Sequence, residues 1–148
     1  MGLSVMLMAV GVSGLQAGPF LENEVIDVIY GLHSPVGVVV SANSKYIYVT
    51  EQGNNTLAVI DAPTHQIIDN AIGAGTQPAG VVLTPNGKTL YVASQGAFFG
   101  FATSDLITTQ GFPNLAPNFG LAVSPNGKSL YVVADATPGL ITVFDTAG

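Results

Sequence analysis

The chain has 148 residues, of which 48% are hydrophobic and only 8% are charged, with a formal net charge of −6. Phosphate backbones and anionic membrane surfaces would repel this charge, which argues against binding to nucleic acid or to lipid headgroups. The absence of Cys excludes disulfides, thiol catalysis and cysteine-ligated metals. The 18 Gly and 9 Pro punctuate short apolar runs, a pattern typical of an all-β protein.

The N-terminal segment 1–21 carries no charged side chain and includes all three Met. The stretch is too short, and too often interrupted by Gly and Ser, for a transmembrane helix. An apolar run that ends in small residues near Ala17 and Gly18 predicts a secretory signal peptide over residues 1–20. The segment "LSVMLMAVGV" also suits a retained N-terminal strand. Both interpretations stay open.

Residues 21–148 contain one sequence unit three times, and we divide them into repeats at about 35–76, 77–117 and 118–148. A Gly, a Lys and a Tyr recur in each copy at the same distances from one another. These landmarks are Gly37, Gly80 and Gly120; Lys45, Lys88 and Lys128; and Tyr48, Tyr91 and Tyr131. A period of about 40 residues indicates one supersecondary unit used several times.

Each repeat predicts a four-stranded antiparallel sheet. Apolar runs such as "GVVVS" and "GLAVS" predict a buried first strand, and "TPNGK" or "SPNGK" predicts the turn into a second. A loop rich in Gly or Asn then leads to a third strand, such as "TLAVID", and "HQIIDNAIG" supplies a fourth. Four strands in about 40 residues are typical of a β-propeller blade. The first copy departs from the pattern with "SANSK" at its turn, and the second with "GAFFGFATSD" at its third strand.

The segment "YIYVTEQGNNTLAVIDAPTHQIIDNAIGAGTQPAGVVLTPNGKTLYVAS" resembles the YVTN family of propeller repeats. The match lies in the order of strand, Asn-rich loop, "VID", strand and then "P-x-G-V", and it extends over roughly residues 25–148. The resemblance implies a propeller fold and export, to the bacterial periplasm or to a cell surface. Related propellers include lactonases and redox enzymes.

The number of blades is small. Residues 23–31, "NEVIDVIYG", predict an outer fourth strand with no first three strands before it, while the third repeat lacks a fourth strand. The chain therefore holds about three blade-equivalents, where closed propellers have roughly four to eight. We expect a partial or oligomer-completed propeller. It could belong to a longer propeller, self-associate into a six-blade ring or an array, or be capped by a partner protein.

Candidate binding residues lie in the loops between blades and between the second and third strands. Their uncharged-polar to acidic character suits hydrogen-bonded contacts with proteins or glycans, although solvated turns are the simpler interpretation. The candidates are His33, Glu51, Gln52, Asn54, Gln77, Gln95 and Asp135.

No catalytic group is predicted. His33 and His65, the two His of the chain, fall in loops expected at opposite rims. Asp61, Asp105 and Asp145 recur near the ends of third strands, where they favour turn stabilisation. We therefore expect no metal and no cofactor. The sequence favours a non-catalytic, exported module for protein–protein or envelope-complex contacts. The alternative is a fragment of a lactonase-like or redox propeller enzyme whose active site needs further blades.

Overall fold

The computed structural model describes residues 24–113 and 118–146, so the two interpretations of residues 1–20 lie outside the described residues. The described part contains eleven β-strands and no helix. The strands are β1 (Pro35–Val40), β2 (Tyr46–Glu51), β3 (Thr56–Asp61), β4 (Gln66–Gly73), β5 (Val81–Leu83), β6 (Thr89–Ser94), β7 (Ala97–Ala102), β8 (Thr108–Pro113), β9 (Asn118–Val123), β10 (Ser129–Ala134) and β11 (Leu140–Asp145).

The strands form three antiparallel sheets, one for each repeat. The first sheet has the order β1-β2-β3-β4 and the second has the order β5-β6-β7-β8. The third sheet contains β9, β10 and β11 among the described residues, with β10 in the middle. The first strands of neighbouring sheets, β1 with β5 and β5 with β9, are in contact. This arrangement of meandering sheets around their first strands confirms the predicted all-β propeller architecture.

The turn between the first two strands of each sheet is built in the same way in all three repeats. In the second repeat the Thr84 hydroxyl donates to Asn86 Oδ1 at 2.7 Å, and that oxygen accepts the Lys88 N–H at 3.0 Å. Ser41 with Asn43, and Ser124 with Asn126, repeat this pattern. The departure "SANSK" therefore keeps the turn, because its hydroxyl and amide side chains occupy the two positions that close it.

The sequence "GAFFGFATSD" does form a third strand, β7, which pairs with β6 along its whole length. Phe98 and Phe101 are fully buried on opposite faces of this strand. Phe98 stacks on Phe112 of β8 with ring centroids 4.3 Å apart, and Phe144 of β11 meets Phe98 edge-on at 4.8 Å. Phe98 stands where the first sheet has Leu57 and the third has Ile141, so an aromatic side chain fills a position that is aliphatic in the other two sheets.

Two apolar layers hold the sheets together. Tyr48 and Leu57 of the first sheet pack against Leu90 and Phe101 of the second. Tyr91 and Phe98, on the other face of the second sheet, pack against Leu130 and Val132 of the third. Since side chains alternate along a strand, each sheet can present one apolar set to each neighbour. The second sheet is consequently covered on both faces.

Residues 24–32 differ from the predicted outer strand, because no part of this segment is hydrogen-bonded as a strand. Ile29 and Leu32 instead pack on the face of the first sheet that points away from the second, against Val49, Ala58 and Ile60. A strand exists only where a neighbour supplies backbone partners, and no strand of the described residues lies beside this segment to do so.

Candidate functional site

The loops predicted to bind meet at one rim of the sheets. The N–H groups of Gln52 and Gly53 donate to the carbonyl oxygens of Ser34 and His33, at 3.1 and 3.0 Å. In the second repeat, the Gln95 N–H donates to the Thr76 carbonyl at 2.8 Å. These bonds bring the loop before each first strand beside the loop that follows the second strand.

The remaining loop candidates lie at the same rim. The Gln77 N–H donates to Asn55 Oδ1 at 2.8 Å, which joins the first two sheets beside Asn54. Asp135 follows β10 directly and is exposed, at the end of the third sheet that corresponds to Gln95 in the second. His33, Asn54, Gln77 and Gln95 are exposed as well, whereas Gln52 is half-buried.

Glu51 has a different environment from the other candidates, because its side chain is fully buried. Glu51 Oε1 accepts the His33 N–H at 2.6 Å and lies 3.4 Å from His33 Nδ1, while Oε2 accepts the Thr56 hydroxyl at 3.1 Å. In the second repeat, Ser94 occupies this position and donates to the Ala74 carbonyl. Glu51 therefore holds the His33 loop in place, and the exposed neighbours are the groups available to a ligand.

Thr50 makes a polar contact between the first two sheets, and the sequence analysis did not predict this contact. Its buried hydroxyl donates to the Ala79 carbonyl at 2.7 Å and accepts the Gly37 N–H at 2.9 Å. The corresponding residue of the second repeat is Ala93, so the repeat pattern carried no signal for this contact.

The opposite rim carries the turn-stabilising carboxylates. Thr64 donates to Asp61 Oδ1 through its hydroxyl and its N–H, at 2.6 and 2.9 Å, which lowers the pKa of Asp61. Asp105 Oδ1 accepts the Ile107 N–H at 3.0 Å. Asp61 pairs with the first residue of β2, and Asp145 pairs with the first residue of β10, so the two are equivalent. In the second sheet Ala102 occupies this position, and Asp105 lies in the turn that follows. The predicted turn role is confirmed for Asp61 and Asp105.

His65 also lies at this opposite rim, in the turn between β3 and β4. Its Nδ1 is 2.6 Å from Asp27 Oδ2, and this hydrogen bond lowers the pKa of Asp27. His33 and His65 thus contact different carboxylates at opposite ends of β3. The contact between His65 and Asp27 fixes residues 24–32 to the first sheet.

A cleft of about 260 Å³ opens between the outer parts of the first two sheets, lined by Tyr46, Tyr48, Asp69, Thr103 and Asp105 among others. A neighbouring cleft of about 200 Å³ shares the two tyrosines and adds Asn43 and Asn86. The two tyrosine rings lie 6.4 Å apart, and burial raises the pKa of Tyr48. Sequence reasoning missed these clefts, because their walls come from two repeats.

Residues at equivalent positions are more exposed on the two outermost sheet faces than on the faces between sheets. Tyr48 is 2% exposed and Tyr91 is 6% exposed, but Tyr131 is 40% exposed. Val81 is 8% exposed, while its equivalent Val38 on the first sheet is 66% exposed. We call the exposed face of the third sheet the leading face, with Tyr131, Val133, Ile141 and Val143. We call the face of the first sheet that carries Val38 and Val40 the trailing face.

Within residues 24–113 and 118–146, no three His, Cys, Asp or Glu residues lie close enough together to hold a metal ion. The same part of the chain has no apolar helix long enough to cross a membrane.

No family model and no curated protein matches the sequence. Solved structures do resemble the fold. Hydrazine synthase from Kuenenia stuttgartiensis is 23% identical with a TM-score of 0.70, over 80% of this chain and 34% of that one. The β-propeller domain of Cps50 (Swd1) from Myceliophteria thermophila is 16% identical with a TM-score of 0.70, over 84% of this chain and 39% of that one.

A putative 6-phosphogluconolactonase from Bacteroides uniformis is 21% identical with a TM-score of 0.66, over 75% of this chain and 36% of that one. At these identities the likeness concerns the fold alone. The chain spans a little over a third of the length of these structures. The fold and the comparisons together define a set of β-propeller blades, two of them four-stranded and one three-stranded among the described residues.

Proposed function

We propose that the chain is a non-catalytic binding and assembly module. Its propeller blades bind another protein chain through their exposed apolar faces. The observation that carries this proposal is the exposure of the leading face, where Tyr131 is open although its two equivalents are buried. A contiguous apolar surface of this kind is typical of a protein interaction site.

The edge of the third sheet supports the same proposal. In the described residues β11 pairs with β10 on one side only, whereas β3 and β7 each have strands on both sides. An exposed strand edge next to an apolar face invites pairing with another strand. Closed propellers bury both features by completing the ring.

The rim loops add a polar surface to the module. His33, Gln77 and Gln95 are exposed there and held by backbone hydrogen bonds. Such groups suit hydrogen-bonded recognition of a protein or glycan. Export is part of the proposal on the strength of the YVTN resemblance.

The non-catalytic part of the proposal is supported by the separation of the two imidazoles. His33 contacts Glu51 at one end of β3, and His65 contacts Asp27 at the other. Each His therefore acts in holding a loop or segment. The enzyme alternative would need catalytic groups contributed by blades other than these.

A matched pair of variants tests the assembly role. Ile141 of the leading face and Ile107 of the turn between β7 and β8 are 63% and 65% exposed. We expect the wild type to have a solution mass above the 15.1 kDa of one chain. Ile141→Lys should shift the mass toward 15.1 kDa, because docking would bury an unpaired charge, whereas Ile107→Lys should not.

Light scattering coupled to size-exclusion chromatography measures these masses, and circular dichroism verifies that each variant is folded. A folded wild type at 15.1 kDa at every concentration, unaffected by either substitution, would contradict the proposal.

A further inference from the structure

We propose that the cleft between the outer parts of the first two sheets binds a primary alkylammonium ion, a small cation with a short apolar chain. Tyr46 and Tyr48 supply its aromatic wall, and Asp69 and Asp105 supply its carboxylates. The walls belong to the two four-stranded sheets, so the site does not depend on the proposed assembly function.

The first observation is a buried hydroxyl that no protein group satisfies. Tyr48 is 2% exposed, and it lines both the cleft of about 260 Å³ and the neighbouring cleft of about 200 Å³. Among the described residues its hydroxyl has no hydrogen-bond partner, whereas buried polar groups in folded proteins almost always have one. A ligand that donates a hydrogen bond in the cleft would satisfy this hydroxyl.

The second observation is a pair of carboxylates, one from each wall of the cleft. On the wall formed by the first sheet, Asp69 Oδ1 accepts the Ala71 N–H at 2.9 Å. On the other wall, Asp105 Oδ1 accepts the Ile107 N–H at 3.0 Å. Neither carboxylate has an ion pair in the part of the chain that the structure describes. Each Oδ2 is therefore available to accept a hydrogen bond from a ligand.

The backbone of β4 is irregular where Asp69 reaches the cleft. Asp69 lies opposite Val59 of β3, and the register shifts on both sides of this pair. Bulges of this kind redirect a side chain, and they are frequent next to active sites. Ile68 and Asp69, although consecutive in the strand, both line the cleft.

The chemistry of the cleft is confined to the first two sheets. In the layer between the second and third sheets, Thr89 stands at the position of Tyr46, and Gln110 stands at the position of Asp69. Phenylalanine rings pack against one another in that layer. Two sheets thus pack together without a tyrosine or a carboxylate at these positions, so packing alone does not account for Tyr46 and Asp69.

The charge and the hydrogen-bonding groups of the cleft select the chemistry of the ligand. Ionised carboxylates only accept hydrogen bonds, and an ammonium group only donates them. Hydrogen bonds between the two are charge-assisted, and they are about twice as strong as those between neutral groups. A cation also complements the formal net charge of −6 of the chain.

The aromatic and apolar groups of the cleft fit the same ligand. The Tyr46 and Tyr48 ring centroids lie 6.4 Å apart, so one small group in the cleft lies near both rings. A ring face attracts a cation within about 6 Å. Val59 and Leu106 also line the cleft and can contact the alkyl chain. The volume of about 260 Å³ is small for a ligand pocket, which favours a small ligand.

An NMR titration with pentylammonium chloride tests the site directly. We expect the ring resonances of Tyr46 and Tyr48 to shift, and those of Tyr91, buried between the second and third sheets, to stay unchanged. Pentanol, which has the same chain without the charge, should bind at least about tenfold more weakly. Shifts of equal size at all three tyrosines, or equal affinity for the alcohol, would overturn the proposal.

Two matched pairs of variants identify the binding groups. Tyr48→Phe removes the hydroxyl and keeps the ring, and Tyr91→Phe makes the same change at the equivalent buried position. Asp105→Asn removes one charge and keeps an Oδ1 for the turn, and Glu24→Gln removes one charge at an exposed position outside the cleft.

We expect Tyr48→Phe and Asp105→Asn each to weaken pentylammonium binding by about tenfold, through the loss of one charge-assisted hydrogen bond. Tyr91→Phe and Glu24→Gln should bind as the wild type does. Circular dichroism verifies that each variant is folded. Equal affinities in the test and control variants would overturn the proposed site.

A primary ammonium group occurs both in free alkylamines and at the end of a lysine side chain. A second titration, with Nα-acetyl-lysine N-methylamide, distinguishes these two sources. Equal or tighter binding of the capped lysine would assign the cleft to a lysine side chain of another protein, and binding of pentylammonium alone would assign it to free amines. A folded chain that binds neither compound would overturn the site and leave the proposed assembly function standing.

Discussion

At the scale of single residues, the repeated glycine in or next to the first strand of each sheet has a packing role in the first repeat. A Cβ on Gly37 would overlap the Ala79 carbonyl oxygen and lie 3.0 Å from Thr50 Oγ1. Both neighbours are fixed by the buried hydrogen bond between Thr50 and Ala79. Only a residue without a side chain allows the first strand of one sheet to approach the next sheet this closely.

We expect Gly37→Ala to lower the free energy of unfolding by about 1–3 kcal/mol, the usual cost of forcing an extra carbon into a packed interior. Gly73→Ala is the matched control, because a Cβ at Gly73 meets nothing within 4 Å. Urea unfolding of both variants measures the difference. Equal stability of the two variants would show that the close contact at Gly37 has no energetic weight.

Other residue-scale properties were inaccessible to sequence reasoning. The sequence predicts that Glu51 lies in an exposed polar loop, yet it is the last residue of β2 and its carboxylate is buried against the His33 N–H and the Thr56 hydroxyl. Burial of this group depends on the His33 loop, which lies well before it in the chain. Local composition does not encode a contact of that kind.

At the scale of elements, the three turns between first and second strands share one hydrogen-bond pattern, but only two of them have a glycine at the left-handed position. Gly87 and Gly127 have φ of +71°, and Ser44 takes φ of +56° at the equivalent position. Left-handed backbone costs a non-glycine residue about 1–2 kcal/mol, partly offset by the greater freedom of glycine in the unfolded chain.

We expect Ser44→Gly to raise the free energy of unfolding by up to about 1 kcal/mol, since it removes the left-handed strain. Gly87→Ser should have the opposite effect of similar size. A Cβ at Gly87 meets only the Ala42 side chain at an ordinary 3.5 Å, so its cost would be conformational. Thermal unfolding measures both changes, and destabilisation by both would rule out the conformational explanation.

Strands were predicted correctly where their pairing partners lie in the same repeat. The four-stranded plan of the first two repeats is confirmed, including β7, because aromatic residues satisfy the same alternation as β-branched ones. In residues 24–32, Ile29 and Leu32 pack on the first sheet, but the segment makes no strand hydrogen bonds. The side-chain pattern is local, but strand pairing requires a neighbour.

At the scale of the whole molecule, stability should fall at high pH. Burial raises the pKa of Tyr48 and of Tyr91, the like charge of Tyr46 adding to the effect at Tyr48. When the pH rises above 10.0, the ordinary pKa of tyrosine, the unfolded chain loses these protons first. The folded state then holds more protons than the unfolded state. The contribution of these two groups to the free energy of unfolding is therefore constant below about pH 10 and decreases above it.

We expect the variant Tyr48→Phe/Tyr91→Phe to lose less stability between neutral and strongly alkaline pH than the wild type does. Tyr30→Phe, at an exposed position, serves as the control and should keep the wild-type decline. Urea unfolding at several pH values measures the slope. An unchanged slope in the double variant would assign the alkaline loss to other groups.

The sequence by itself determined the all-β class, the three repeats and the turns, because these depend on alternation and on turn chemistry over a few residues. Only the tertiary structure decided that Glu51 is buried, that Thr50 joins two sheets, and that Tyr131 is exposed while Tyr48 and Tyr91 are covered. The physical reason is that equivalent residues in a repeat have the same local sequence but different neighbours. Burial depends on which sheet, if any, packs against each face.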